Sequence, residues 1–493
     1  MSDPLHLRPV DAEIGVRNVI LRMPPKYGAT VCRGFPFAYL TLTLEGPGGV
    51  RVKGYAGDCL PPGWYDKRPN RTFRNDVDEL AAALMEGRKT LMDLARGGPR
   101  SVFGFWRELY PHQIKWARER GVTDITGNFG TTMCERALLD GAGKLAGKTY
   151  HALIKDNLPG IEPETVHPFL KDWHVREALA PEPLTSIAIR HTVGGLDPLT
   201  EADVPAGQRL RDGLPQTLED YLKAERIRYF KIKLKGNAKA DLERLGRIAA
   251  LLDQYIPAAE KYYVTYDGNE VYADPAELMR LLEQAEQGGV PKRFAQAVLF
   301  VEQPFPRAIT LSDAIRADLA RISKIKSVII DESDETVESV PRALDLGYAG
   351  FAIKSAKGPL KALLNAGVTQ RHPKRPAQPI ISGEDMCNLP VVALHEDLVV
   401  MSAMGMTHAE RNGHHYSHGL NHLSDTEQAA LLKNHPKLIH RLPNGLVALN
   451  ADSGAFEIGT LVARPGLGVS DDEIDAKAMV RLEDWKFESL GIT

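Results

Sequence analysis

The sequence contains few cysteines and no long apolar run. Its four cysteines, Cys32, Cys59, Cys134 and Cys387, lie far apart and form no CxxC pair, which argues against a zinc knuckle or a disulfide scaffold. No stretch approaches the roughly 18 apolar residues of a membrane span, and the opening segment MSDPLHLRPV has no apolar core of a signal peptide. We therefore expect a soluble, cytoplasmic protein without a membrane partner.

The sequence also lacks an excess of either charge and a nucleotide-binding fingerprint. Its 61 Lys and Arg residues nearly balance 64 Asp and Glu residues, for a formal net charge of −3, so there is no electrostatic basis for binding nucleic acid. Glycine motifs such as GNFG at 127–130 do not follow a predicted strand, as a dinucleotide-binding or phosphate-binding loop would. These absences favour an enzyme that acts on a small molecule.

The first 150 residues have the pattern of an α+β domain. Segments 16–23 and 37–46 are rich in β-branched and aromatic residues and predict strands. Apolar residues then recur at helical spacing from Asp76 onward and again over 133–145. We assign residues 1–150 to one capping domain.

From about residue 184 the sequence alternates between short strands and helices. Seven strands are predicted, at 186–192, 228–234, 262–267, 297–303, 326–332, 350–355 and 379–384, and an eighth is expected near 398–408. Such alternation produces right-handed βαβ units and a parallel sheet. We predict an α/β protein with a modified TIM barrel, (β/α)7β, over residues 184–420. Residues 421–493 are too few to bury a core alone, so we expect them to pack back on the capping domain and complete it.

Acidic residues end three successive predicted strands. Asp267, Glu302 and Asp331 are each separated from the next by about one helix-plus-strand unit. Because the carboxyl ends of barrel strands meet at one rim, we expect the three carboxylates to converge. Three hard oxygen ligands suit Mg²⁺ better than zinc.

Lysines flank these acids. Side chains two residues apart on a strand point the same way, so Lys231 and Lys233 would both face the barrel mouth, with Lys354 opposite them. A surface pair is the alternative interpretation of Lys231 and Lys233. With Mg²⁺, this set suits abstraction of a proton α to a carboxylate, because the metal neutralises the enediolate and a lysine takes the proton. We expect another cation and Mg²⁺ nearby to lower the pKa of one lysine, so that some of it is a neutral base near pH 7.

Several segments together resemble the enolase superfamily, in particular its mandelate racemase/muconate lactonizing enzyme family and the muconate-lactonizing/dipeptide-epimerase branch. The segments follow the superfamily's order and are CERALLDGAGKLAGKTYHALI (134–154), YFKIKL, YDGNEVY (266–272), FVEQPF (300–305), IIDES (329–333), FAIKSAKG (351–358) and RPGLGV (464–469). The resemblance implies Mg²⁺ ligation by Asp267, Glu302 and Asp331, with support from Asn269. It also implies a homo-oligomer.

The resemblance further assigns the lysines. It implies that Lys233 and Lys354 form the acid/base pair and that Lys231 faces the substrate carboxylate. Lys235 follows at another two-residue step where the superfamily usually has glycine, so the pair Lys233 and Lys235 is an alternative.

Further substrate contacts are predicted outside the three acids. The resemblance implies that segment 22–33 is a mobile specificity loop, where Lys26 and Tyr27 would touch substrate; a plain loop is the alternative. Glu384 and Asp385 end the seventh predicted strand in an unusual GEDM sequence. The histidine-rich segment 407–422 follows the expected eighth strand. Its interpretation is either a substrate-facing rim, with His408 and Glu410 as contacts, or a polar surface or subunit-contact loop.

We predict a racemase or epimerase acting on a small-molecule carboxylate. An acid-sugar dehydratase or a cycloisomerase using the same site is the alternative, because either lysine can serve a one-sided reaction. Two other classes rank lower: an aldolase with a Schiff base on Lys231, Lys233 or Lys354, and a binding protein without turnover. Acid sugars, amino-acid derivatives and cyclic carboxylates are all compatible substrates.

Overall fold

The computed structural model describes residues 3–27 and 30–492, with the side chains of Tyr27 and Thr30 outside that description. Its first part is an antiparallel sheet of three long strands, Arg8–Ile20, Gly34–Glu45 and Arg51–Cys59. A short strand, Val480–Arg481, extends the sheet by pairing with Gly15 and Val16. The predicted strands at 16–23 and 37–46 lie largely within the first two strands.

Three long helices cover this sheet. They span Phe73–Ala95, Val102–Arg120 and Asp124–Ala146, and the prediction over 133–145 is confirmed. Each helix begins after a residue whose side chain accepts a backbone N–H of the first turn, namely Thr72, Ser101 and Thr123, and this capping stabilises the helix start. We call the sheet and its three helices the cap.

The second part is a closed parallel barrel. We number its strands 1 to 8 in chain order: Ser186–Val193, Tyr229–Lys233, Tyr263–Asp267, Val298–Glu302, Val328–Ile330, Gly350–Ile353, Ile380–Gly383 and His408–Arg411. Strand 8 pairs with strand 1, where His408 lies opposite Ala188. The predicted (β/α)7β barrel is therefore confirmed.

Helices connect successive barrel strands. The main ones, in order, are Leu218–Ala224, Ala238–Tyr255, Pro275–Gln284, Arg316–Ile322, Ser339–Leu346, Pro359–Arg371 and Val392–Ala403. Shorter helices are Tyr150–Lys155, Lys292–Ala297, Arg307–Thr310, Gly413–Tyr416, Asp425–Asn434 and Gly459–Val462. Short strand pairs join Lys26–Tyr27 to Thr30–Val31 and Ile439–Arg441 to Val447–Leu449.

The eighth barrel strand lies later than predicted. The range 398–408 reaches only its first residue, and residues 398–403 belong to the helix Val392–Ala403. All twelve residues of that helix are buried. A helix buried on every side has no polar face, so its apolar sequence could not be told from a buried strand by periodicity.

The C-terminal segment contacts both parts. Ala455–Glu457 pairs antiparallel with the start of strand 1, while Val480–Arg481 joins the cap sheet. Arg17 of the cap donates two hydrogen bonds of 2.9 Å to Glu427. Among the residues that the structure describes, no helix combines the length and the apolar character needed to cross a membrane.

A buried ion-pair cluster fixes the cap against the barrel. Arg136 of the cap lies 3.0 Å from Asp58 and 2.9 Å from Glu396 on the last barrel helix, and all three side chains are fully buried. Burial raises the pKa of Asp58 to about 6 although Arg136 lowers it. Removing one partner of such a buried cluster costs about 3–5 kcal/mol, so the cluster holds the cap in one position over the barrel mouth.

Candidate active site

The carboxyl ends of barrel strands 2, 3 and 4 place three charged side chains side by side. Lys233 lies opposite Asp267 in the strand register, and Asp267 lies opposite Glu302. Strand side chains alternate between two faces, so Lys231, two residues before Lys233, faces the same interior. The sheet register thus places Lys233, Asp267 and Glu302 at one rim of the barrel.

Lys231 lies at the centre of four carboxylates. Its Nζ is 3.0 Å from oxygens of Asp267, Glu302 and Glu410, and it also contacts Glu384. Burial disfavours the ammonium form, but the carboxylates outweigh burial and raise the pKa of Lys231 well above its usual value. The side chain is 1% exposed, so the surface-pair interpretation is wrong.

Lys233 and Lys354 each bind one carboxylate closely. Lys233 Nζ lies 2.6 Å from Asp267 Oδ2, and Lys354 Nζ lies 2.6 Å from Asp331 Oδ2. Burial disfavours both ammonium ions, yet the adjacent carboxylates raise the pKa of each lysine. Without a bound ion each nitrogen lies on an acid, and the lowered lysine pKa expected beside Mg²⁺ stays a prediction.

The alternative acid/base pair of Lys233 and Lys235 is also wrong. Lys235 is exposed, and its backbone N–H bonds to Asp241 Oδ1 at 2.8 Å. The strand ends at Lys233, so the two-residue alternation no longer directs the next lysine into the barrel.

The donor set of the predicted metal site fits Mg²⁺ chemically. Glu302 Oε2 and Asn269 Oδ1 are buried oxygens that have no hydrogen-bond partner in the described structure, as expected of atoms that serve a cation. Burial and the neighbouring Glu384 raise the pKa of Glu302 well above its usual value, which indicates excess negative charge.

The three predicted ligands lie at the same rim but are kept apart by lysines. Within residues 3–27 and 30–492, Asp267, Glu302 and Asp331 do not present three oxygens all within 4.8 Å of one another. The reason is local: Lys231 lies between Asp267 and Glu302, while Asp331 bonds Lys354 and Lys357, the latter at 3.1 Å. Lysine ammonium ions thus occupy the oxygens that a divalent ion would use.

A cavity of about 50 Å³ lies between the barrel rim and the cap. That volume holds only a few water molecules. Its barrel side includes Lys231, Lys233, Asn269, Asp331, Lys354, Asp385 and Glu410. Its cap side, which we call the roof, is formed by Pro25, Lys26, Cys32, Phe35, Pro61 and Trp64. Lys26 therefore lines the cavity as predicted for substrate contact, whereas the side chain of Tyr27 lies outside the described residues.

Glu410 and Asp385 are held firmly at the rim. Glu410 accepts a 2.6 Å hydrogen bond from Thr192. Asp385 accepts backbone N–H groups of Asn412 and Asn388 at 2.8 and 2.9 Å. Burial raises the pKa of Asp385 to about 6. Both side chains are fixed acceptors facing the cavity.

His408 does not reach the cavity. Strand 8 begins at His408, so this residue lies at the opposite end of the strand from the rim. Its ring stacks on Tyr229 at 4.3 Å, and Nδ1 lies 2.9 Å from Arg190. The prediction that His408 faces substrate is corrected because the strand starts later than expected.

Arg190 is a buried residue that the sequence analysis missed. It contacts Glu384 and donates hydrogen bonds to Ser382 Oγ at 2.8 Å and Gly383 O at 2.6 Å. Glu384 is thereby held inside the barrel, between Arg190 and Lys231, and does not line the cavity. A charged residue within the apolar strand SIAIRHT was the available signal.

The histidine-rich segment is largely buried. His415 is 2% exposed, and its ring stacks on His191 at 4.6 Å and on Tyr416 at 4.3 Å. Tyr416 lines the cavity and donates a 2.8 Å hydrogen bond to Asp197. The interpretation of this segment as a polar surface loop is therefore wrong.

A lysine of the cap, also missed, reaches the barrel rim. Lys67 Nζ lies 2.8 Å from both Glu270 and Glu332. The Asn269 side chain donates to the same Glu332 at 2.9 Å. This contact links the cap to the ends of strands 3 and 5, so it helps to hold the roof over the cavity.

Solved structures with the same architecture were found. Muconate lactonizing enzyme from Pseudomonas fluorescens is 17% identical, with a TM-score of 0.59 over 97% of this chain and 98% of that one. This chain has the enolase-superfamily fold. A dipeptide epimerase from Enterococcus faecalis is 12% identical, with a TM-score of 0.59 over 94% and 99%. The N-succinyl Arg/Lys racemase from Bacillus cereus is 13% identical, with a TM-score of 0.57 over 98% and 97%.

No protein-family model and no curated protein matches the sequence. The assignment of this fold therefore rests on the similarity of the backbone structures and not on sequence similarity. In barrels of this kind the chemistry occurs at the carboxyl ends of the strands, where the cavity lies. The cap, which encloses the cavity from above, belongs to the same fold.

Proposed function

We propose that this protein is a Mg²⁺-dependent enzyme that abstracts the proton α to a carboxylate, and that it is a racemase or epimerase. The observation that carries the proposal is the placement of Lys233 and Lys354. Lys233 ends strand 2 and Lys354 directly follows strand 6, half-way round the barrel, and both line the cavity. A substrate between them would meet an ammonium or amine group on each face.

Asp267, Glu302 and Asp331 would hold the metal ion. Bound Mg²⁺ would supply positive charge to stabilise an enediolate. Dipeptide epimerases of the same fold have been solved in complex with Mg and a dipeptide. Because Asp267 and Asp331 also bind Lys233 and Lys354, the lysines and a divalent ion compete for the same oxygens.

The chain's own groups would bind and orient the substrate. Lys231 cannot serve readily as a base, because four carboxylates hold its proton, and it supplies fixed positive charge beside the substrate carboxylate. Lys233 and Lys354 each have one close carboxylate partner, and they would exchange the α-proton. The cap excludes bulk water from this transfer.

The roof favours a substrate with an apolar substituent. Pro25, Phe35, Pro61 and Trp64 present apolar surface opposite the charged rim, and Trp64 is 4% exposed. A polyhydroxylated acid sugar would leave hydroxyl groups unpaired against these side chains, which costs free energy. The acid-sugar dehydratase alternative is therefore less well supported than epimerisation. A cycloisomerase needs only one of the two lysines.

The lower-ranked aldolase needs a neutral lysine to form a Schiff base. Lys231, Lys233 and Lys354 all have a raised pKa from adjacent carboxylates. This setting disfavours an amine nucleophile most at Lys231, which four carboxylates surround, whereas a divalent ion on Asp267 and Asp331 would free Lys233 and Lys354 to act as bases. Homo-oligomer formation and a cytoplasmic location remain predictions.

The test is exchange of the α-hydrogen with deuterated solvent in the presence of Mg²⁺. The panel contains both stereoisomers of apolar α-substituted carboxylates, N-acylated amino acids and acid sugars. For a racemase, Lys233→Ala and Lys354→Ala should each abolish exchange from one stereoisomer, while the exposed control Lys235→Ala should retain both. Exchange from no member of the panel by the folded wild type would contradict the proposal, and borohydride trapping of a substrate adduct would support the aldolase instead.

A further inference from the structure

A second group of ligand-type side chains lies away from the candidate active site. Among the described residues, His395, His435 and Glu473 are the three whose ligand atoms all lie within 4.8 Å of one another. All three are fully buried. His395 belongs to the last barrel helix, His435 follows the helix Asp425–Asn434, and Glu473 lies in the turn Asp471–Glu473.

The complete burial of His395 is unusual for a polar side chain. Its side chain is 0% exposed, and within residues 3–27 and 30–492 neither ring nitrogen makes a well-formed hydrogen bond, only a weak interaction with the backbone of Gly468. Burying a polar group without a partner costs free energy, and such groups are rare unless they serve an ion, a water molecule or catalysis. The carboxylate oxygen Oε2 of Glu473 lies 4.0 Å from His395 Nδ1.

His435 is already oriented as a ligand would be. Its Nδ1 lies 2.8 Å from Thr460 Oγ1, and its Nε2 lies 2.9 Å from Glu473 Oε1. Without an ion, Nε2–H donates to Glu473 and Nδ1 accepts from the Thr460 hydroxyl; with an ion on Nε2, Nδ1–H would donate to Thr460 instead. A hydrogen bond from the outer ring nitrogen is the usual way in which a metal-binding histidine is fixed.

The two carboxylate oxygens of Glu473 differ in how strongly they are hydrogen-bonded. Arg464 and Asn434 donate to Oε1 at 2.7 and 2.8 Å, whereas Oε2 receives only a 3.3 Å contact from the backbone N–H of Ser470. Arg464 is 24% exposed, so solvent screens part of its charge.

We propose that His395, His435 and Glu473 form a binding site for a divalent zinc-type ion, separate from the Mg²⁺ site. Imidazole nitrogen and carboxylate oxygen are common zinc ligands, and tetrahedral coordination places ligand atoms about 3.3 Å apart. The separation of His395 Nδ1 from the available Glu473 Oε2 is 4.0 Å, and the three ligand atoms all lie within 4.8 Å of one another, so an inward rotation of the side chains completes the site.

The ion would join the C-terminal segment to the barrel. The three ligands come from the barrel helix Val392–Ala403 and from two elements after strand 8. The same C-terminal segment supplies Val480–Arg481 to the cap sheet. The site is therefore structural, and its loss should loosen residues 421–493 without removing any group from the cavity.

The experiment uses full-length protein freed of metal with a chelator and then titrated with Zn²⁺ in excess Mg²⁺. We expect one Zn²⁺ per chain, with binding weakened about 100-fold or more in His395→Gln and His435→Gln. The controls are His6→Gln, an exposed histidine, and Glu302→Gln, which lies in the candidate active site. Both controls should bind Zn²⁺ like the wild type.

A second measurement covers the case in which the ligand variants fail to fold. X-ray absorption of the Zn²⁺-loaded wild type should show two imidazole ligands. The proposal is overturned if the wild type binds no Zn²⁺, if the spectrum shows no imidazole, or if Glu302→Gln rather than His395→Gln removes the ion.

Discussion

The ammonium nitrogen of Lys231 lies 3.0 Å from Glu302 Oε1, and Oε2 of the same carboxylate is buried with no hydrogen-bond partner in the described structure. One oxygen of Glu302 is thus paired with Lys231, while the other has no partner among the described residues. Lys231 also contacts Asp267, Glu384 and Glu410. This lysine is the main source of positive charge at the centre of the barrel.

Removing the charge of Lys231 should destabilise the fold. In Lys231→Met, four buried carboxylates lose their shared partner, and breaking a buried ion pair costs about 3–5 kcal/mol. Urea unfolding of the metal-free protein measures the change in the free energy of unfolding. Lys235→Met, on an exposed lysine, is the control and should change it by less than about 0.5 kcal/mol. An equally small effect of Lys231→Met would disprove the central role of this ion cluster.

Neutralising one acid of the proposed Mg²⁺ site should weaken metal binding. Glu302→Gln removes the carboxylate charge next to the unpartnered oxygen, so calorimetric titration should show at least about tenfold weaker Mg²⁺ affinity. Asp267→Asn and Asp331→Asn should act in the same direction. Asp345→Asn, at the end of a barrel helix and 38% exposed, should leave affinity unchanged. Equal affinities in all four variants would remove the ligand assignment.

Removing the metal should stop the reaction without unfolding the protein. EDTA treatment is expected to abolish α-hydrogen exchange, and added Mg²⁺ should restore it, because charge stabilisation of the enediolate is lost and regained. Circular dichroism before and after treatment checks that the fold persists. Full exchange activity in excess EDTA would contradict Mg²⁺ dependence.

Truncating the roof should affect apolar substrates selectively. Trp64 lies over Lys354, with Nζ 5.4 Å from the ring centre. Trp64→Ala should raise KM about tenfold for carboxylates with apolar substituents, since an aromatic contact contributes up to about 1.5 kcal/mol beyond its buried area. Trp116→Ala, far along the helix Val102–Arg120, is the matched control. A purely kcat effect of Trp64→Ala would point to a role in chemistry rather than in binding.

Stability should depend on pH through His191. Burial and the nearby His414 lower the pKa of His191 to about 3, whereas an unfolded histidine titrates near 6.5. Between pH 3 and pH 6.5 the unfolded chain binds a proton at this histidine that the folded chain does not bind. The stability that neutral His191 allows is therefore complete above pH 6.5 and is lost as the pH falls. The slope is up to about 1.4 kcal/mol per pH unit.

The variant His191→Phe tests this dependence. Phenylalanine keeps the stacking surface toward Tyr221 and His415 but cannot bind a proton. Urea unfolding between pH 5 and 6.5 should give a shallower loss of stability for the variant than for the wild type. His6→Gln, at an exposed position, should keep the wild-type slope, and identical slopes for all three proteins would refute the assignment.

The fold was largely predictable because its signals are local. Alternating strand and helix patterns located seven of the eight barrel strands, and charged residues at the strand ends located the rim. The last helix and strand were misplaced because Val392–Ala403 is buried on all sides and carries no helical polar face. The predicted position of His408 at the rim was wrong for the same reason.

The pairing inside the barrel was not predictable from sequence. Lys231 and Glu384 are 153 residues apart, and no spacing rule indicates that they touch. The same holds for Arg190, which meets Glu384 only because strands 1 and 7 converge in the closed barrel. The raised pKa values of the metal-free lysines follow from such contacts between distant residues, which sequence spacing does not reveal.

The strand Val480–Arg481 has a consequence for how the protein is made. It completes the cap sheet by pairing with Gly15 and Val16, which leave the ribosome more than 460 residues earlier. Domains tend to fold in the order of their synthesis, but this sheet keeps an open edge until residues 480–481 have been made. A nascent chain stalled within the barrel would therefore expose a strand that is prone to pair with other polypeptides.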